Sequence, residues 1–277
     1  MGVPYAEVIG DPIDHSLSPL IHNFWLEKLG IEGEYRATRI RPTELSDYLE
    51  GRRTDIWWRG CNVTAPLKEV AADLVGSPAG LCRFVGAVNC IVRTPMACLY
   101  GTNTDMLGVA EALRNTKLDG AIVCLIGSGG AARSVLCHFQ GKPVARVRIL
   151  ARNVEKAAKL VEGFDGVFEV IGMDDARAAF GNASIIVNAT PLGMTGKPPM
   201  VADVINGLAG ADPDATIFDT LYAPPETELL SKARNIGLHT VNGLPMLIGQ
   251  AAPAFELFFG APAPREHDAE LRERLTR

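Results

Sequence analysis

The stretch Ala121-Ile122-Val123-Cys124-Leu125-Ile126-Gly127-Ser128-Gly129-Gly130-Ala131-Ala132 carries the pattern on which the fold turns. An apolar run of strand length leads into small residues, and the alanines open a stretch with helical spacing. In a strand–turn–helix of this kind Gly127 permits the tight turn. Gly129 lets the backbone approach a pyrophosphate, and Ala132 keeps the helix close to the sheet. Ser128, Gly130 and Ala131 then lie where the first amides of the helix face an anion. The expectation is a dinucleotide site at the end of a parallel strand.

Working outward, βα units continue on both sides, the pattern of an α/β protein with largely parallel sheets. Downstream, strands are expected over 146–150, 167–171, 185–188, 215–219 and 238–241, with helices over 154–162, 174–180 and 226–236 between them. This is a doubly wound, Rossmann-type dinucleotide-binding domain. Upstream, strands are expected over 5–9 and 34–40 and extended chain over 56–63 and 87–93. Helices are expected over 19–29, 42–51, 66–74 and 106–113. The polar joint 114–120 is the expected boundary, and Asn242-Gly243 turns the chain into a long apolar helix over 246–259. The expected division places an α/β unit over 1–113 before the nucleotide domain over 114–241. The last stretch, 261–277, reads as a charged, solvent-facing tail.

Composition narrows the functional classes. The chain has 277 residues, 47% of them hydrophobic, enough for two cores, and a net charge of -5 with scattered Lys and Arg. Nucleic acid is therefore not an expected partner. No apolar stretch reaches membrane-span length and no leader pattern follows Met1, so a soluble, cytoplasmic protein is expected. The cysteines at 61, 82, 90, 98, 124 and 137 form no C-x-x-C pair and read as reduced, mostly buried thiols. The histidines have no metal spacing, so no metal is expected. Nothing in the pattern chooses between a monomer and a homodimer.

Two segments carry acid–base chemistry. Asn62-Val63-Thr64-Ala65-Pro66-Leu67-Lys68 and Asn103-Thr104-Asp105 place a lysine and an aspartate in polar, turn-like surroundings. With a dinucleotide this is the kit of a dehydrogenase: hydride leaves a carbinol carbon while the hydroxyl proton needs a partner of tunable pKa. Burial would lower the lysine pKa and a neighbouring carboxylate would raise it, so Lys68 is open as neutral base or charged polariser. Taken alone, Lys68 also reads as a solvated residue and Asp105 as a helix cap. Ser18, before Pro19, reads as the cap of a helix whose N-terminus, with Ser16, suits a carboxylate. Gln250 stands out on an otherwise apolar helix, where a buried amide needs a partner. Asn188-Ala189-Thr190 ends a strand where cofactors lie in doubly wound sheets, which assigns Thr190 to the cofactor side. Arg152, 25 positions past Gly127, stands where an NAD-binding unit usually has an acid, and a guanidinium suits a 2′-phosphate.

These segments, with Ser16-Leu17-Ser18-Pro19, Gly86-Ala87-Val88-Asn89, Asp219 to Leu230 and Asn242 to Ala252, resemble the shikimate dehydrogenase family in order and spacing along nearly the whole chain. The resemblance implies NADP-dependent interconversion of 3-dehydroshikimate and shikimate, with Lys68 and Asp105 catalytic. It implies that Ser16 and Ser18 hold the substrate carboxylate and that Asn62, Thr64, Asn89 and Gln250 complete a polar ring around the hydroxyls. Tyr222 matches a position beside the substrate, and Gly243 and Met246 positions beside the nicotinamide. It also implies that the long apolar helix returns to pack on the first domain, so that 1–113 with 242–277 form a discontinuous α/β substrate domain, and that a cleft lies between two lobes. NADP-using members show Asn-Arg-Thr at 151–153; here Arg152 matches, while Ala151 and Asn153 depart, so NADP is expected with NAD still open. Cys90, Met106 and Pro245 also depart from the family pattern, and Met106 adjoins Asp105. A relative acting on quinate or a related ring acid, or a silent dinucleotide-binding sensor, are the alternatives.

Overall fold

A computed structural model describes residues 2–76 and 86–276; Cys82 lies outside the described residues. The chain divides into two compact units, Met1–Asp105 with Leu247–Arg277, and Met106–Met246.

The second unit is built on β6 (Ile122–Ile126), β7 (Arg146–Ala151), β8 (Phe168–Gly172), β9 (Ile185–Asn188), β10 (Thr216–Asp219) and β11 (His239–Val241). Their order is β11-β10-β9-β6-β7-β8, and every pairing is parallel. This is the doubly wound order in which the chain reverses direction across the sheet between the first and fourth strands, here β6 and β9. Alternation along the strands sends side chains to opposite faces. Val123, Leu125, Val147, Ile149, Ile185 and Val187 enter one core, with Val109 and Leu113, with Val135 and Phe139 of α5 (Gly130–Phe139), and with Leu160 of α6 (Val154–Val161). Cys124, Ile126, Leu150, Ile186 and Ile217 enter the other, under α7 (Ala176–Phe180), α8 (Ala202–Gly207) and α9 (Glu228–Asn235). The packing of Val109, Ala112 and Leu113 explains why the unit begins at Met106, at the head of α4 (Asp105–Ala112), rather than in the polar joint at 114–120.

The first unit holds a five-stranded sheet of β1 (Tyr5–Gly10), β2 (Glu34–Arg39), β3 (Trp58–Val63), β4 (Cys90–Arg93) and β5 (Leu99–Thr102), in the order β2-β1-β3-β4-β5. β1 pairs in parallel with β2 and β3, but β3-β4 and β4-β5 are antiparallel. β5 escapes a hydrophobic reading because Leu99-Tyr100-Gly101-Thr102 is neither an apolar run nor a clean alternation. Gly101 is required there, since a Cβ would press on Val75 and Val88. One face is covered by Leu45 and Leu49 of α2 (Leu45–Thr54) and by Leu67 and Ala71 at α3 (Lys68–Leu74). On the other side lie α1 (Ser18–Leu29) and the part of α10 (Leu244–Phe259) from Leu247 onward.

Three further expectations are corrected. Residues 261–277 are not a solvent-facing tail: Asp268–Leu275 forms α11, with Leu271 buried against the α1 cluster and Lys28–Glu270 paired at 2.6 Å. Two leucines, one buried and one half-buried, in a charged helix are a weak hydrophobic signal. Ser18 is the first helical residue rather than the cap; the Ser16 hydroxyl accepts its N–H at 3.3 Å. The segment 87–89 is extended in pattern but adds no strand, because the ladder begins at Cys90. Among the thiols, Cys61, Cys90 and Cys124 are buried, Cys137 is half-buried and Cys98 is exposed.

Candidate active site

In the first unit a chain of buried polar side chains converges on Asp105. Lys68 is the first residue of α3 and Asp105 the first of α4. Lys68 Nζ lies 2.5 Å from Asp105 Oδ2, with side-chain exposures of 21% and 8%. The lysine is therefore partly accessible and the aspartate largely enclosed. Asn89 Nδ2 donates to Asp105 Oδ1 at 2.7 Å, so each carboxylate oxygen already accepts one hydrogen bond. Asn89 Oδ1 accepts the Thr104 N–H at 2.7 Å. Asn103 Oδ1 accepts the Asp105 N–H at 3.0 Å, while Asn103 Nδ2 donates to the Ala87 carbonyl. Asn103 and Asn89 thus brace the aspartate from two loops, which fixes its oxygens relative to the ammonium. Cys90 beside it stays a neutral thiol, because burial and then the Asp105 charge push its pKa far up.

Asn62, at the end of β3, donates to the Asn89 carbonyl at 3.1 Å and accepts the Tyr35 hydroxyl at 2.6 Å. Lys68, Asp105, Asn89 and Asn62 therefore form one connected polar group. Ser16, Ser18, Thr64 and Gln250 belong to the same unit, but among the described residues no side-chain hydrogen bond joins them to that group. Gln250, buried on α10, donates to the Leu247 carbonyl of its own turn at 2.9 Å. The network also contains Asn103, Thr104 and Tyr35, to which residue types and spacing gave no role. Asn103 and Thr104 adjoin the quoted aspartate, whereas Tyr35 has no local signal.

In the second unit the glycine loop joins β6 to α5 at the point of chain reversal. Gly127 has φ +111°, and a Cβ there would meet Thr190 Cγ2 at 2.8 Å and the Ala189 carbonyl at 3.2 Å. Only glycine fits, for conformation and for space. At Gly129 and Gly130 an added Cβ would meet nothing within 4 Å. Bare backbone therefore fronts open space at a helix N-terminus, where first-turn amides have no intrahelical acceptor. Ser128 and Ala131 flank that opening. This cradle fits a dinucleotide pyrophosphate. At the end of β7, Arg152 is exposed and makes no ion pair among the described residues. Asn153 is the N-cap of α6, its Oδ1 accepting the Lys156 N–H at 2.8 Å. That bond engages the oxygen, and among the described residues the amide nitrogen has no hydrogen-bond partner.

At the ends of β9 and β10, Asn188 Oδ1 accepts both the N–H and the hydroxyl of Thr190, at 3.0 and 2.7 Å. Asn188 Nδ2 donates to buried Asp219, which also accepts the Thr227 hydroxyl and the Leu221 N–H. Burial raises the Asp219 pKa against those hydrogen bonds. This knot fixes the loops carrying Thr190 and Tyr222, and burial raises the Tyr222 pKa as well. Gly243 donates to the Leu221 carbonyl at 2.8 Å, and a Cβ there would run into the Thr220 carbonyl. Met246 packs half-buried against the nearby core. Among the described residues no group of His, Cys, Asp and Glu has the arrangement of a metal site, and no helix is long and apolar enough to cross a membrane.

Comparison with known proteins bears on the same segments. Residues 8–91 match the shikimate dehydrogenase substrate binding domain, 109–195 the shikimate / quinate 5-dehydrogenase model, and 243–270 the shikimate 5'-dehydrogenase C-terminal domain. The chain is 47% identical to shikimate dehydrogenase (NADP(+)) of Sphingopyxis alaskensis, covering 98% of this chain and 97% of that one. It is 38% identical to the protein of that name from Methylobacterium radiotolerans, over 99% and 97%. Among solved structures, shikimate 5-dehydrogenase of Thermus thermophilus in complex with NADP(H) and shikimate superposes with a TM-score of 0.84. It is 31% identical and is matched over 98% of this chain and 99% of its own. With this sequence similarity over nearly its full length and these two sheets, the chain belongs to the shikimate dehydrogenase family.

Proposed function

We propose that the chain catalyses the reversible, NADP(H)-dependent reduction of 3-dehydroshikimate to shikimate, a step toward the aromatic amino acids. The unit Met1–Asp105 with Leu247–Arg277 binds the ring acid, and Met106–Met246 binds the dinucleotide. The dinucleotide, when bound, supplies or accepts the hydride. Gly127 to Ala131 receive its pyrophosphate, Arg152 and Asn153 its 2′-phosphate, and Thr190, Gly243 and Met246 its nicotinamide half.

The observation that carries this reading is the Lys68–Asp105 pair at 2.5 Å, braced by Asn89. In the reductive direction Lys68 gives a proton to the oxygen as the carbonyl becomes a hydroxyl; in the oxidative direction it takes the hydroxyl proton. Asp105 holds the lysine nitrogen in place for that transfer. Ser16 and Ser18 hold the carboxylate, and Asn62, Thr64, Asn89, Tyr222 and Gln250 the ring oxygens. These contacts act away from the reacting carbon and serve orientation. The thiols remain reduced in the cytoplasm, where the enzyme works.

A spectrophotometric scan of shikimate and quinate, each with NAD and NADP, tests the assignment. Shikimate with NADP is expected to give the highest kcat/KM. A preference for quinate or for NAD would overturn it, and no turnover with any combination would favour a silent sensor.

A further inference from the structure

Asn62 has its orientation forced by its neighbours. The Asn89 carbonyl can only accept, so the Asn62 group 3.1 Å from it is the amide nitrogen. The amide oxygen then faces Tyr35, and the Tyr35 hydroxyl, 2.6 Å away, must donate. Both partners are satisfied only in this one arrangement, and it leaves Asn62 one N–H and one lone pair to offer a ligand.

Tyr35 is itself held from several directions. It lies on β2, the edge strand of its sheet, and its backbone N–H and C=O are both taken by the Asn23 side chain at 2.8 Å. The ring of His22, next to Asn23 on α1, stacks on it at 4.0 Å between centroids and 5° between planes. Tyr35 is 2% exposed, and burial raises its pKa well above the ordinary phenol value, which keeps the hydroxyl a donor. A buried phenol anchored at backbone, ring and hydroxyl, whose only side-chain hydrogen bond among the described residues goes to Asn62, is more than core filling.

We propose that Tyr35 is a positioning residue: its hydroxyl locks the Asn62 amide so that a fixed N–H is presented to an oxygen of the ring substrate. This rests on the reading of Asn62 as a substrate contact, and the test separates the two. Tyr35→Phe, Asn62→Ala and the double variant are compared with wild type by KM for shikimate, by calorimetric Kd for shikimate without dinucleotide, by KM for NADP and by melting temperature. Tyr35→Phe removes one neutral hydrogen bond and is expected to raise KM and Kd for shikimate about 3- to 10-fold, with KM for NADP unchanged. In the Asn62→Ala background the same substitution is expected to have no further effect on shikimate, because its route is gone. A purely structural role would instead give a penalty of the same size in both backgrounds, and that result overturns the proposal. So does an unchanged shikimate affinity in folded Tyr35→Phe while Asn62→Ala weakens it. If Asn62→Ala itself leaves shikimate affinity intact, the substrate role of Asn62 falls first, and that of Tyr35 with it.

Discussion

Asp105→Asn changes one oxygen of the proposed dyad into an NH2 group while keeping shape and volume. Both carboxylate oxygens accept a donor in the native site, Lys68 Nζ at 2.5 Å on Oδ2 and Asn89 Nδ2 at 2.7 Å on Oδ1. Whichever way the new amide turns, it sets a donor against a donor. Turned one way it faces the ammonium; turned the other it strands the buried Asn89 amide. The lost charge-assisted hydrogen bond is worth about 1.5–3 kcal/mol. Losing the group that orients the acid–base residue is expected to lower kcat by about 10²–10⁴-fold. Stability should fall as well, by about 1–3 kcal/mol, if the amide turns toward Asn89 and leaves that donor unpaired. The assay is steady-state formation of reduced dinucleotide from shikimate, beside denaturation curves for the same preparations. A folded Asp105→Asn enzyme turning over within about threefold of wild type would refute the reasoning, because the braced geometry would then be irrelevant to rate.

Three further outcomes follow from other parts of the molecule. Arg152→Ala should reduce kcat/KM with NADP by about 10- to 150-fold and leave NAD nearly unaffected, since a guanidinium–phosphate contact is worth about 1.5–3 kcal/mol; equal loss with both dinucleotides would dismiss Arg152 as discriminator. Ser16→Ala removes both the proposed carboxylate donor and the acceptor of the Ser18 N–H, so it should raise KM for shikimate and lower the melting temperature. Ser18→Ala, whose hydroxyl makes no such cap, should raise KM with little thermal change. Burial lowers the His22 pKa from 6.5 to about 3, and among the described residues both ring nitrogens lack hydrogen-bond partners. The unfolded chain therefore takes up a proton that the native state refuses, and stability is lost as pH falls below about 6.5. Between pH 7 and 5 wild type should lose about 2 kcal/mol more than His22→Phe by equilibrium denaturation, and parallel pH profiles would remove His22 from the account.

What the sequence disclosed and what it hid divide along chain distance. The Gly127–Ala132 turn was readable because its requirements are local: a positive φ, a backbone without side chains and a helix start. The central strands of the second unit, β6, β9 and β10, were readable for a similar reason, as short runs buried on both faces. Lys68 and Asp105 are 37 residues apart, and no local pattern ties them together. Residue chemistry puts them in one acid–base kit, the family resemblance makes them a catalytic pair, and the fold brings them within 2.5 Å. Tyr35 meets Asn62 across 27 residues and two strands, and a tyrosine in a strand looks like any other core residue. β5 was hidden by Gly101, which is there for space rather than for strand propensity. The C-terminal helix was hidden because its packing rests on Leu271, with Leu275 beside it, amid charges.

The claim at the centre of the account is that Lys68 moves the hydroxyl proton. Its most direct measurement is the kcat of purified, folded Lys68→Ala with shikimate and NADP, alongside KM for shikimate. Loss of one acid–base group predicts a fall in kcat of about 10²–10⁴-fold with KM nearly unchanged, because the ammonium would contribute to the transition state far more than to ground-state binding. Turnover close to wild type would contradict the account and remove Lys68 from the chemistry.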